Sequence, residues 1–509
     1  MTGDQQHEPV TEDAHLLHSH SSQHSESSSS RRLGEDVPFY SRPRQRQRWG
    51  DEQILPHVNW GDLYIDLFYV AAAYNLGMII KHAPDLEGLL YFASCYFPSV
   101  FIWNEKVGYD ARFAPDDNLF HRGLELLHLV ILGTVVSHIR EVSLMKMTSE
   151  NATTMIFAGA LFVECWVHVK KYFDVVHNVD GGNEAKINAR DDAYRKMFVS
   201  VFYCIAFALA GWDFFGHHNL EGNNLPIIFC LIGSSSEHAV ALMEAFVIIP
   251  ARKVDHHEVR VPLNLEFTLH RFAEWVMLML GESILSLLVV DITGTVAYYA
   301  TLFWGIVSVT MLQYLYYRSN PHEPEEHALR RSVVGGFGFF YSIIFYSASL
   351  ILVGVCYKMM LTVYFEEEEA GLHRVLHLPL PFDEYKQRIS SMYGYALSSS
   401  LVFLDAMLLS HLGAREFFSR FYYRRRGRPN IKAFVFSAMT LSTTILSLFC
   451  GNICGTNLVA TSLFGLTLVV FQVLVRTQAM KIFWFGEEKE CAWPNVTEAR
   501  SVPCKSTTP

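Results

Sequence analysis

Long apolar stretches recur along the chain from about residue 60 and alternate with short polar loops. Each stretch has roughly the 20 residues that a helix needs to cross the hydrocarbon core of a bilayer. A soluble chain of 509 residues would instead divide into several domains with charged surfaces. The pattern therefore predicts an all-α, polytopic transmembrane bundle of about twelve helices. The predicted helices are 62–81, 87–104, 119–138, 152–170, 197–215, 225–250, 267–290, 295–317, 333–361, 391–412, 433–450 and 457–476.

The first 50 residues have a different composition. They are rich in His, Ser, Arg, Gln and Glu and contain few aliphatic residues, so they cannot bury enough apolar surface to fold by themselves. We therefore divide the chain into a disordered tail at 1–57, a transmembrane domain at 58–480 and a short tail at 481–509. The histidines of the first tail are more typical of a biased, solvated segment than of a metal site.

Lys and Arg are distributed unevenly between the predicted loops. They concentrate in every second loop and most strongly in residues 415–432, which read REFFSRFYYRRRGRPNIK. Because positively charged loops remain on the cytoplasmic side, we expect a multi-pass protein with both termini in the cytoplasm. The expected partners are the lipid bilayer and a small ion or solute that the sequence does not identify. Nucleic acid is not expected, and a homo-oligomer is compatible with the pattern.

Ionisable side chains interrupt these apolar helices. A charge at the centre of a bilayer costs about 2.5–3.5 kcal/mol on insertion scales, and such residues often mark ion or substrate pathways. The clearest case is residues 270–283, HRFAEWVMLMLGES, where Glu282 follows about a dozen mostly apolar residues and is predicted near the middle of the membrane. Other acids and histidines recur three or four residues apart and so share helix faces. The candidate pathway residues are Asp62, Asp66, Glu125, His128, Glu164, His168, Glu237, His238, Glu244, His270, Arg271, Glu274, Glu282 and Asp405.

The predicted depth of these residues is asymmetric. With the orientation given by the basic loops, most of them lie between the middle of the membrane and its cytoplasmic side. Structural polarity alone would not favour one side of the bilayer. We therefore expect a polar vestibule or pathway that opens to the cytoplasm.

Two stretches resemble motifs of the bacterial low temperature requirement A (LtrA) family of multi-pass membrane proteins. One is residues 62–70, DLYIDLFYV, and the other is Arg271-Phe272 followed by residues 280–283, LGES. The sequence departs from the family pattern at Asp62 and His270, where the family usually has glutamate, and at Glu274, where it usually has an apolar residue. The resemblance implies a many-helix membrane domain but no particular reaction or substrate. The matched positions that carry over are Asp62, Asp66, Arg271, Gly281 and Glu282.

The first and seventh predicted helices both start on the cytoplasmic side and both carry an acidic motif. This arrangement is typical of two six-helix halves, the parallel-repeat plan of many secondary transporters.

Three functions are compatible with this sequence. We favour a proton- or cation-linked transporter or ion pathway without a cofactor, because buried acids and histidines serve as ion ligands. A metal-dependent enzyme is an alternative, since Glu125 and His128 have the Glu-x-x-His spacing of di-iron bundles and Glu164, His168, Glu237 and His238 are nearby candidates. A non-transporting sensor or scaffold is the third. No Gly-rich phosphate-binding loop accompanies the helices, so we do not expect an ATP-driven transporter. The sequence does not place Ser, His and Asp relative to one another, so it indicates no hydrolase triad, and we do not favour an enzyme.

Overall fold

The computed structural model describes residues 37–48, 60–115, 118–146, 152–180, 182–215, 224–252, 260–321, 326–372, 382–412 and 431–484. These residues form an all-α bundle, to which one short antiparallel pair is added, β1 (Pro43–Gln45) with β2 (Phe113–Pro115). All twelve predicted segments are helical. The long helices are α1 Trp60–His82, α2 Leu86–Arg112, α3 Leu119–Ser137, α4 Thr153–Asn178, α5 Asn183–Phe215, α6 Leu225–Met243, α7 Leu265–Leu288, α8 Val296–Ser319, α9 Val333–Leu372, α10 Phe382–Leu412, α11 Ile431–Leu448 and α12 Leu458–Trp484.

Shorter elements lie between or extend these helices. A π-helical turn at Glu244–Ile248 continues α6 into Ile249–Arg252, and single-turn helices occur at Val142–Met145, Ala328–Arg331 and Cys450–Cys454. Within the described residues, nine helices are long and apolar enough to cross a membrane. The remaining three are α4 and α7, which hold more polar side chains, and the shorter α11. The prediction of a polytopic helical membrane protein is confirmed.

Several helices are longer than predicted. Helix α2 continues to Arg112 instead of ending at 104, and α5 begins at Asn183 instead of at 197. The added turns are polar, so hydropathy alone marks only the membrane-length part of each helix. Their charged side chains are paired within the bundle: Lys106 and Lys196, for example, are 5% and 4% exposed and contact acids on other helices. These additions matter because they carry part of the polar site.

Helices α1–α6 and α7–α12 repeat the same pattern of neighbours. In the first half the packed pairs are α1–α2, α1–α3, α2–α6, α3–α4, α4–α5, α5–α6 and α4–α6. The second half contains the corresponding pairs α7–α8, α7–α9, α8–α12, α9–α10, α10–α11, α11–α12 and α10–α12. The halves meet where α1 packs on α7 and α9 and where α2 packs on α7, and one hydrophobic core runs through both. This pattern agrees with two parallel six-helix repeats.

Candidate functional site

The polar site begins with an ion pair between the two halves. Arg271 of α7 donates through Nη1 and Nη2 to Oδ2 and Oδ1 of Asp66 in α1, at 2.9 and 2.8 Å. Trp103 Nε1 donates to the same carboxylate at 3.2 Å, and Arg271 Nη1 also donates to Glu274 Oε2 at 2.6 Å. Both members of the main pair are almost wholly buried. The two stretches that resemble the LtrA family are therefore joined by a bidentate charge-assisted contact.

Next to this pair, Lys106 gathers three acids. Its Nζ lies 3.1 Å from Asp62 Oδ1, 2.5 Å from Asp110 Oδ2 and 3.8 Å from Glu125 Oε1. Glu125 is half exposed. Sequence analysis missed Lys106 and Asp110 because the predicted second helix stopped before them. Their spacing of four residues, which keeps both on one helix face, was the available signal.

A second buried lysine neutralises two acids in α2 and α6. Lys196 Nζ of α5 lies 2.7 Å from Glu237 Oε1 and 3.2 Å from Glu105 Oε2. The Tyr172 hydroxyl of α4 donates to the other oxygen of Glu105. The candidate Glu237 is thus part of a four-helix network that includes two residues, Glu105 and Lys196, which the sequence analysis did not select.

The network continues to the predicted cytoplasmic ends of the helices. Arg260, which precedes α7, lies 2.5 Å from Glu244 Oε2 in the π turn and 3.4 Å from Asp192 Oδ1 in α5. Asp192 also accepts from Arg195 Nη2 at 2.5 Å and from Asn188 Nδ2 at 2.6 Å. Glu244 is therefore linked to Arg260, the described residue that precedes α7. On α7 itself, His270 Nε2 lies 3.1 Å from Glu274 Oε1, with the histidine more than half exposed.

Three candidates converge between α3 and α4. His128 Nδ1 lies 2.6 Å from Glu164 Oε1, and His168 Nε2 lies 3.0 Å from the same oxygen. All three side chains are at most 3% exposed. Their potential ligand atoms lie within 4.8 Å of one another, so the three residues together are able to hold a metal ion.

The structure brings together three of the six residues that the metal-enzyme hypothesis named, His128, Glu164 and His168. The other three lie elsewhere. Glu125 faces Lys106 and the exterior, Glu237 is paired with Lys196, and His238 packs on the ring of Phe101, with the ring centroids 3.7 Å apart. The i, i+3 spacing did not bring Glu125 to the site of His128, because spacing along one helix does not determine which neighbouring helix each side chain meets.

Glu282 and Asp405 lie apart from this network. Glu282 is 2% exposed, accepts a hydrogen bond from Ser286 Oγ at 3.2 Å through Oε1, and has no partner for Oε2 among the described residues. Lys358 of α9 interacts with it electrostatically over a longer distance. Asp405 of α10 lies 2.5 Å from Arg476 Nη2 of α12, another residue that the sequence analysis did not select. The structure therefore divides the fourteen candidates among several sites.

Five residues of the predicted vestibule are buried in this structure. Asp66, His128, Glu164, His168 and Arg271 are at most 3% exposed and contact one another or other polar side chains. The ionisable groups do collect in α1–α7, but as a packed network within the described part of the chain.

The fold and this network define a polytopic α-helical membrane protein with a charged interior. The sequence matches the family model described as bacterial low temperature requirement A protein (LtrA) over residues 57–475. The chain therefore belongs to the LtrA family, which confirms the resemblance seen in the two motifs. Comparison with curated proteins and with solved structures finds no significant match.

Proposed function

We propose that this protein is a proton- or cation-linked transporter or ion pathway, in which Glu282 exchanges a proton or cation. The observation that carries the proposal is the buried carboxyl group of Glu282, which has one hydrogen bond and one oxygen without a partner among the described residues. A buried carboxylate without a paired cation is unstable. Glu282 therefore requires a bound proton, a bound cation or a change of conformation.

A buried lysine, Lys358, is suited to take part in such a change of conformation. The Lys358 ammonium of α9 is buried over the ring of Tyr74, 4.5 Å from its centroid, and contacts Met78 Sδ at 3.8 Å. Tyr74 and Met78 belong to α1, so the side chain of Lys358, which comes from the second half, is held against the first half. Movement of α1 relative to α7 and α9 would release the Lys358 ammonium from Tyr74 and Met78, free it to approach Glu282, and strain the Asp66–Arg271 pair. Coupling between a titrating acid and relative movement of two repeats is a common transporter mechanism.

The test is ion flux in proteoliposomes that contain pH-, Na⁺- and K⁺-sensitive dyes. We expect flux in the parent, loss of flux in Glu282→Gln, and retained flux in Glu384→Gln, a control at an exposed glutamate in the first turn of α10. Monodisperse elution and an unchanged melting temperature verify that each variant is folded. Absence of flux in the folded parent under all three ion gradients would overturn the proposal, as would a Glu282→Gln variant that transports normally.

A further inference from the structure

The cluster of His128, Glu164 and His168 has a chemistry that the proposed transport role does not use. Glu164 and His168 are four residues apart on α4 and share one face, while His128 reaches them from α3. We propose that these three side chains bind one divalent transition-metal ion of the Zn²⁺ type. The proposal is independent of transport, because it concerns a site in the first half and stands whether or not ions cross the membrane.

The donor set determines the class of ion. Two imidazole nitrogens and one carboxylate oxygen suit Zn²⁺ and related ions such as Fe²⁺, Co²⁺ and Ni²⁺. Ca²⁺ and Mg²⁺ prefer sites made only of oxygen atoms. Three protein ligands also leave one position open for water or another small ligand, which is typical of reactive zinc sites and not of structural ones.

The geometry is already close to that of a metal site. The three potential ligand atoms lie within 4.8 Å of one another, whereas ligands on a single Zn²⁺ are roughly 3.3 Å apart, given metal–ligand bonds of about 2.0–2.1 Å. Small side-chain rotations are sufficient to close the difference. The imidazole rings are nearly perpendicular, at 80°, with centroids 5.9 Å apart, so both can direct a nitrogen at a common point without clashing.

Polar atoms without partners provide independent support. Among the described residues, His128 Nε2, Glu164 Oε2 and both ring nitrogens of His168 lack a hydrogen bond although all are buried. His168 Nε2 thus lies 3.0 Å from Glu164 Oε1 but does not form a hydrogen bond with it. Buried polar atoms nearly always have a hydrogen-bond partner, so several atoms without one at the same place indicate a binding site for an ion or water. An ion held between the two imidazoles and the carboxylate would give a partner to His168 Nε2, the unpaired nitrogen that lies 3.0 Å from Glu164 Oε1.

A buried tyrosine of α1 also lacks a partner. Tyr69 is 1% exposed, its hydroxyl has no hydrogen-bond partner among the described residues, and it interacts electrostatically with Glu164. It also lines a small cavity together with Ser99 and Trp275.

The test measures metal binding directly in the full-length protein, purified without a polyhistidine tag. After removal of metal with a chelator and addition of ZnCl₂, we expect about one tightly bound Zn²⁺ per chain by inductively coupled plasma mass spectrometry, as for one three-ligand site. His168→Ala and Glu164→Gln should each weaken binding by at least about 100-fold, more than the loss of an outer-shell contact. Glu125→Gln is the matched control, since it alters the Glu-x-x-His spacing but not the cluster.

A second variant separates this site from the histidine-rich N-terminal tail. It keeps the full chain and replaces the tail histidines by glutamine, namely His7, His15, His18, His20 and His24. We expect this variant to retain one Zn²⁺. Loss of all bound metal in it would show adventitious binding by the tail and would overturn the proposal.

Spectroscopy keeps the test decisive if ligand variants do not fold. The Zn K-edge absorption spectrum of the parent should show nitrogen and oxygen neighbours with the multiple scattering of two imidazoles, and no sulfur. Melting temperatures should rise with ZnCl₂ in the parent and in Glu125→Gln, because an ion that binds only the folded state stabilises it. A parent that binds no ion, or a folded His168→Ala variant that binds Zn²⁺ as tightly as the parent, would show that the cluster is only a hydrogen-bonded triad.

Discussion

The two halves of this protein share an arrangement of helices but have different interiors. In α1–α6, buried lysines, acids and histidines connect neighbouring helices, as in the contacts of Lys196 with Glu105 and Glu237. In α7–α12, hydroxyl groups occupy much of the interior: Tyr357 and Tyr393 are hydrogen-bonded at 2.7 Å, and Ser400 donates to Ser349 at 2.9 Å. The same packing of helices therefore accommodates two kinds of polar interaction.

Close helix contacts also distinguish the second half. Gly394 of α10 lies against the backbone of Ser447 in α11, and Gly354 of α9 packs against Ser283 of α7. Small residues and hydroxyl groups are the usual means of helix association inside membranes. Charged side chains in the first half instead carry an energetic risk, since an unmatched buried charge is strongly destabilising. The two halves are therefore stabilised differently, the first by charged contacts between helices and the second by close packing and hydroxyl groups.

The largest effect should follow removal of the central cation of the first half. Lys196→Met leaves Glu105 and Glu237 buried without their cation, and we expect a loss of about 3–5 kcal/mol in unfolding free energy. The measurement is reversible unfolding in mixed micelles.

Combining Lys196→Met with Glu105→Gln and Glu237→Gln should recover more than half of that loss, because no unpaired charge remains. A Lys196→Met variant that unfolds like the parent would contradict the view that ion pairs hold the first half together.

An intermediate effect should appear at a close contact in the second half. In Gly394→Ala the new methyl group would overlap Ser447 O and Cys450 Cβ, and overpacking of this kind costs about 1–3 kcal/mol. Gly281→Ala is the control, because no atom lies within 4 Å of its added Cβ. We expect the control to be neutral or stabilising by up to about 1 kcal/mol through helix propensity. Equal stability of both variants would refute the proposed role of close packing.

A smaller effect should follow loss of a hydroxyl group in the second half. Tyr357→Phe removes hydrogen bonds to Tyr393 and Ser308, which should reduce the unfolding free energy by about 0.5–1.5 kcal/mol. A double-mutant cycle with Tyr393→Phe isolates their interaction, and the exposed Tyr395→Phe serves as control. A loss as large as that of Lys196→Met would remove the distinction between the halves.

The smallest effect concerns Tyr40 of the N-terminal segment, whose hydroxyl contacts the first half. Tyr40 donates to Asp174 Oδ1 at 2.9 Å. Burial, this hydrogen bond and the negative charge of Asp174 raise the pKa of Tyr40 from 10.0 to about 12. The folded state therefore holds the phenolic proton more tightly, so the contribution to stability is present below pH 10 and is lost as the pH rises towards 12.

The difference in ultraviolet absorbance between the parent and Tyr40→Phe isolates this titration. Its midpoint should lie near 12 and should fall towards 10 in Asp174→Asn. A midpoint near 10 in the parent would show that the segment does not pack as described.

The sequence was informative about helices and less so about the site. Hydropathy located all twelve helices, because each must satisfy its own backbone in lipid. Hydropathy predicted α2 and α5 as too short, because their outer turns are polar, and it therefore missed Lys106 and Lys196. The acids and histidines were recognised as unusual, and His128 and His168 were named with Glu164, but Lys196 and Glu105 around Glu237 were not recognised.

By itself, then, the sequence determined an all-α membrane bundle and its family, because these follow from apolar length and motif order. The repeated packing of the two halves and the exact partners of the buried side chains came only from the tertiary structure. It selected Asp66 as the acid of α1 that pairs with Arg271, gathered His128, Glu164 and His168, and turned Glu125 away from them. The reason is geometric: spacing along a helix determines which side chains share a face, while the packing of other helices determines what that face meets.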